Sequence, residues 1–174
     1  MIKVGIIFIN TKHKSALMTM FSQMVTVLTD GWSHVAMYLF DGIYESVRQG
    51  VDVYPKDKYD SPDSYIKKEI IWISLTEKGY KKMEIEAQRL IGRNIKYGIW
   101  DCILAFIADS ISLKTAIWLN KKFPSPWNMM CSGTISHLLK IGEFKGLDKS
   151  TCPPEILTPR HFYSILKVYQ NENE

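Results

Sequence analysis

Residues 33–47 run Ser33-His34-Val35-Ala36-Met37-Tyr38-Leu39-Phe40-Asp41-Gly42-Ile43-Tyr44-Glu45-Ser46-Val47. Two β-prone runs flank an Asp-Gly pair, which is a strong hairpin signal. With Asp41-Gly42 as a two-residue turn, Phe40 stands opposite Ile43 and Gln49 opposite His34. Glu45 then faces Tyr38, about 13 Å along the strand from His34. Val51 to Pro55 extends the second arm.

Outward from the hairpin, the chain carries short strands and amphipathic helices in separate blocks. Val4 to Ile9 is a continuous apolar run with β-branched residues, which predicts a buried strand. Ser15 to Leu28 repeats its apolar residues at spacings of three and four, predicting a helix with Ser15 as N-cap. Lys56 to Ser64 reads as a polar loop whose Asp57, Asp60 and Asp63 are solvated. Glu69 to Leu75 predicts a strand. Thr76 then caps a helix to about Ile91, with Gly92 as its C-cap. Ile99 to Leu119 predicts one long apolar helix or two. Cys131 to Ile141 predicts a helix stopped by Gly142, and Tyr163 to Tyr169 a last strand. The segregation of strands and helices indicates an α+β fold in one domain over residues 1–169, with 170–174 a frayed tail.

Composition excludes several classes. The 174 residues are 46% hydrophobic and 23% charged, which rules out disorder and low complexity. Three cysteines without a CxxC pair argue against a disulfide framework and a zinc finger. The net charge of +4 comes with scattered pairs such as Lys67-Lys68 and Lys121-Lys122, a solvated surface rather than a nucleic-acid footprint. Residues 1–14 lack the pattern of a secretory signal. Asp101, Asp109 and Lys114 interrupt the apolar stretch from Ile99 to Leu119, against a bilayer span. The expected compartment is cytoplasmic.

The chemistry-bearing residues are few. Gly142 to Ser150 fails as a phosphate loop, because Lys149 does not follow a glycine and no strand precedes it. His13, His34, His137 and His161 show no metal-ligand spacing, so no metal site is expected. Cys102 lies inside the apolar stretch and Cys152 precedes two prolines. Cys131 follows the Pro-rich break at 124–126 and opens a helix. The free N–H groups and dipole of a helix N-terminus favour a thiolate and can hold an oxyanion. A buried structural cysteine is the competing reading. His137 is six residues further on, about 240° around the helix from Cys131. His34, at a strand start, is rigidly held and is either structural or a base.

The order of these pieces resembles the NlpC/P60 superfamily. Ser33-His34-Val35-Ala36-Met37-Tyr38-Leu39 is similar to the family's His strand, with Glu45 eleven positions on. Val4 to Phe8 resembles its opening strand, and Ile91 to Tyr97 its Gly…Tyr element. Cys131-Ser132-Gly133 resembles its Cys-Ser helix start, and Leu157 to Phe162 its closing Thr-Pro segment. His before Cys is the order of the circularly permuted branch, which includes YiiX-like bacterial proteins, poxviral members and the lecithin:retinol acyltransferase group.

The resemblance implies a papain-like α+β fold with a small antiparallel sheet packed against helices. It implies Cys131 as nucleophile, His34 as general base and then acid, and Glu45 as the group that orients the imidazole. Gln49 is the alternative third member on hairpin geometry. Tyr97 is carried over as a site-lining residue. Trp32, beside the His strand, is expected to bind substrate. The implied activity is a thiol hydrolase or acyltransferase of peptidase or amidase type, with no cofactor. A lipid acyl hydrolase or acyltransferase at a membrane surface is the second reading, and a silent binding module on this fold the third. The expected partner is a peptide or lipid acyl substrate, with peripheral membrane contact under the lipid reading and no nucleic acid.

Overall fold

The computed structural model describes residues 1–11, 31–47, 49–61, 63, 65–93, 100, 103–104, 107–108, 111–124, 130–148, 152–153 and 156–173. Among these are five strands: β1 (Ile2–Thr11), β2 (His34–Leu39), β3 (Gly42–Val47), β4 (Gly50–Tyr54) and β5 (Tyr65–Leu75). Four helices accompany them: α1 (Glu77–Gly92), α2 (Leu113–Lys122), α3 (Cys131–Ile141) and α4 (Pro159–Asn173). The strands form one sheet in the order β4-β3-β2-β1-β5, antiparallel throughout. The protein is therefore an α+β fold with a small antiparallel sheet packed against helices. No described helix is long and apolar enough to cross a membrane. The helix expected over Ser15–Leu28 lies outside the described residues.

Strand alternation divides the sheet into two faces. One carries Phe8, Met37 and Ile73, and packs on Met83 of α1, Ile135 of α3 and Phe162 of α4. The other carries Ile7, Ile9, Ala36 and Ile43, and is covered by Tyr59 from the short 3-10 turn Lys56–Tyr59. The segment expected to be a polar loop thus supplies a buried aromatic lid, with Tyr59 only 6% exposed.

The hairpin turn is displaced from the expected one. Phe40 and Asp41 take positive φ, 54° and 57°, so they are the central turn residues. Leu39 pairs with Gly42 and Ala36 with Glu45. Gly42 has a different duty. A Cβ there would lie 2.6 Å from the Tyr54 carbonyl oxygen, so glycine lets β4 approach β3 closely. The short polar side chain of Asp41 tolerates the left-handed conformation that the turn needs. Val51 to Tyr54 does not extend β3 but returns along it as β4, Val47 pairing with Gly50.

Three helical expectations also change. Tyr163 to Tyr169 is part of α4, not a strand. Phe162 and Leu166 are buried and Val168 is 55% exposed, a helical and not an alternating pattern. The helix start was encoded in Thr158-Pro159: the Thr158 hydroxyl accepts from the His161 N–H at 3.2 Å, and proline suits the first helical position. Helix α4 continues through Asn173, where a frayed tail was expected. In the apolar stretch, Ser112 caps α2 by accepting from the Thr115 N–H at 3.3 Å, so a helix starts there and runs past Leu119 to Lys122. Thr76 caps α1 as expected, accepting from Gly79 N–H at 3.0 Å, while Gly92 is its last residue and Arg93 its C-cap.

Candidate active site

Helix α3 begins at Cys131, after Met130 in extended conformation, and ends at Gly142. Met130 has no side-chain oxygen and makes no cap to the helix. The first helical hydrogen bond runs from Thr134 N–H to the Met130 carbonyl at 2.9 Å. The amides ahead of Thr134 therefore have no acceptor within the helix, and this end is electropositive. Ser132 donates its hydroxyl to the Leu157 carbonyl, which ties the first turn to the segment leading into α4.

His34 is the first residue of β2, and α3 packs against β2 and β3. Glu45 stands opposite Ala36, two residues along from His34 on the same face. Diagonal neighbours of this kind are within reach of long side chains. The His34 Nε2 lies 2.5 Å from Glu45 Oε2. Cys131 is near enough to act on the imidazole both by charge and by hydrogen bond. With Nε2 on the carboxylate, Nδ1 is the nitrogen left for the sulfur.

The Glu45 side chain is fully buried yet has all its oxygens engaged. Lys58 donates its Nζ to Oε1, and the Tyr59 hydroxyl donates to Oε2 at 2.6 Å. The Lys58 Nζ also lies 3.4 Å from the centre of the Tyr54 ring, a cation–π contact. The 3-10 turn thus delivers two consecutive donors to one carboxylate.

The electrostatics follow from this arrangement. Burial opposes the charged form of His34, but the Cys131 charge and hydrogen bond, then Glu45, raise its pKa to about 10. Burial likewise opposes ionised Glu45, but His34, Lys58 and Tyr59 together hold its pKa down at about 2. The Tyr59 phenol is pushed up, by burial first and then by the neighbouring carboxylate. At neutral pH the site therefore holds an imidazolium against a carboxylate.

Of the expected site residues, Cys131, His34 and Glu45 come together. Gln49 does not join them: it is exposed beyond the end of β3, because the turn begins one residue earlier than Asp41-Gly42 required. Trp32 is corrected to a core residue. It is 2% exposed, with its ring 5.8 Å from Phe8 and 5.2 Å from Tyr163. Tyr97 and Cys102 lie outside the described residues. His137 points away from Cys131, to Glu86 of α1, with Nε2 3.4 Å from Oε1. Cys152 sits over its own neighbour, the Pro153 carbonyl. Lys58 and Tyr59 were missed, since nothing in a polar loop of alternating Lys and Asp marks which residues turn inward. The only available signal was an aromatic residue amid those charges. Among the described residues, no three His, Cys, Asp or Glu side chains converge to hold a metal ion.

Compared with known proteins, the chain matches no family model, no curated protein and no solved structure.

Proposed function

We propose that this protein is a cysteine hydrolase or acyltransferase that opens an amide or ester bond through Cys131, His34 and Glu45. We place it on a papain-like fold of the circularly permuted NlpC/P60 kind. The observation that carries this reading is the continuous line of contacts from Glu45 through the His34 ring to Cys131 at a helix N-terminus.

The chemistry follows from the geometry. Cys131 and His34 rest as thiolate and imidazolium, the sulfur having given its proton to Nδ1, and the thiolate attacks a substrate carbonyl. The C–S bond forms as the carbonyl π pair moves to oxygen. The oxyanion is stabilised by the Cys131 N–H and the positive end of α3. The C–N or C–O bond then breaks, and the imidazolium protonates the leaving amine or alcohol. Water, or an acceptor alcohol or amine, loses its proton to His34 and attacks the thioester, and the sulfur leaves as thiolate, restoring the thiolate–imidazolium pair. Glu45 fixes the ring and stabilises the imidazolium, while Lys58 and Tyr59 keep the carboxylate ionised and pointed at Nε2.

The test is acylation. Incubated with an activated ester, the wild-type chain forms a mass-detected acyl adduct on Cys131. Cys131→Ala forms none, and His34→Ala forms it at least about a hundredfold more slowly. A folded wild-type protein that never acylates at Cys131 removes the catalytic reading and leaves a silent binding module.

A further inference from the structure

The outer side of α2 carries a patch that neither the core nor the Cys131 site uses. Among the described residues, nine large apolar side chains are exposed, and two of them, Trp118 and Phe123, lie on α2 and at its C-terminal end. Trp118 and Phe123 are 56% and 53% exposed. The Lys122 Nζ lies 5.0 Å from the Trp118 ring centre and 5.6 Å from that of Phe123, so the two aromatics and the cation share one surface. Lys114 and Lys121 flank Trp118 at helical spacings on the exposed side. Leu113–Lys122 contains three lysines and no acid.

The helix does not owe this patch to an unfinished core. Its inner side is already packed, with Ala116 fully buried against Leu104, Ala108 and Ile156. Burial of the inner side leaves an exposed tryptophan ringed by lysines.

We propose that this face of α2 docks on the surface of an anionic lipid bilayer. Tryptophan has an apolar body and one N–H donor, and it partitions to the headgroup level of a membrane. Lysines beside it reach the lipid phosphates, and an acid-free helix meets no repulsion there. Nucleic acid would satisfy the lysines but gives no apolar medium to Trp118 and Phe123. A second copy of this chain would bring like-charged helices together.

The patch is also linked to the catalytic helix. Ile156 packs under α2, and the carbonyl of the next residue, Leu157, accepts from Ser132 beside Cys131. Docking would thereby fix the orientation of α3 relative to the bilayer. The docking itself does not depend on the acyl-transfer reading, and its test uses no turnover.

The experiment is co-sedimentation of the full chain with vesicles of phosphatidylcholine plus phosphatidylserine, against phosphatidylcholine alone. The expected result is binding to the anionic vesicles that weakens with added salt. Trp118→Ala reduces it severalfold. Each of Lys114→Gln, Lys121→Gln and Lys122→Gln reduces it by about fivefold. Trp72→Ala, at an exposed tryptophan on β5, leaves it unchanged. Circular dichroism of each variant checks that it is folded. Absence of binding to either vesicle overturns the proposal. So does binding indifferent to the α2 variants, binding to duplex DNA lost in the lysine variants while vesicles are ignored, or a concentration-dependent dimer abolished by Trp118→Ala.

Discussion

Replacing Glu45 by glutamine keeps the shape of the side chain and removes the charge that faces His34 Nε2 across 2.5 Å. Two unit charges about 4 Å apart at an effective dielectric of about 20 interact by about 4 kcal/mol. That corresponds to about 3 pKa units. Lys58 loses its carboxylate partner in the variant, and its swing towards solvent takes a positive charge away from the ring and offsets part of the effect, leaving about 1–2 units. The sign is fixed by the partner lost: without the carboxylate the imidazolium releases its proton at lower pH. The thiolate at Cys131 then loses support, so its formation shifts to higher pH. The assay is the rate of iodoacetamide alkylation against pH, read at each cysteine by mass spectrometry. A small reagent is required because Cys131 is 1% exposed. In wild type the Cys131 inflection falls well below the roughly 8.5 of a free thiol, and in Glu45→Gln it rises by about 1–2 units. Equal inflections in both proteins, or a wild-type value near that of a free thiol, would refute the coupling of Glu45 to Cys131 through His34.

Lys58→Met, which keeps an unbranched stem and removes the charge, moves the same inflection the other way. The unneutralised Glu45 then favours the imidazolium, and an upward shift in this variant would show that Lys58 does not face the carboxylate in solution. Stability to urea is greatest between about pH 4.5 and 6.5. The contribution of Glu45 is lost as pH falls from its ordinary 4.5 towards about 2, and that of His34 as pH rises from 6.5 through about 10. A flat urea midpoint across both limbs contradicts this. Phe162→Ala empties a fully buried site beside Phe8 and costs about 3–5 kcal/mol in equilibrium unfolding. Gly79→Ala, which helix propensity alone favours by about 1 kcal/mol, lowers the melting temperature instead. Its Cβ would lie 2.2 Å from the Gly142 carbonyl oxygen at the end of α3.

Local sequence carried the fold class and the place of each catalytic candidate within its own element. β-Branched runs marked β1 and β5, Thr76 marked the start of α1, and Gly142 marked the end of α3. Cys131 at a helix start and His34 at a strand start were legible because caps and periodicities are set by neighbours a few residues apart. Sequence patterning went astray where one local signal served a distant contact. Asp41-Gly42 resembles a hairpin turn, but Gly42 is needed for the close approach of β4, and the turn moves to Phe40-Asp41. Tyr163 to Tyr169 suits either period, and the Thr158-Pro159 start together with burial of Phe162 and Tyr163 against Phe8 selects the helix. Trp32 looked like a binding residue until packing with Phe8 and Tyr163 drew it into the core.

The meeting of Glu45 with His34 depended on the register of a hairpin, and a shift of two residues along a strand moves a pair by about 7 Å. The meeting of His34 with Cys131 depended on a helix nearly a hundred residues away folding against the same sheet end. Lys58 and Tyr59 joined because the 3-10 turn closes over the second face of the sheet. Sequence by itself determined most of the elements and the chemical types within them. Tertiary structure decided which side chains touch, because contacts between distant segments follow from register and packing, which no local period encodes.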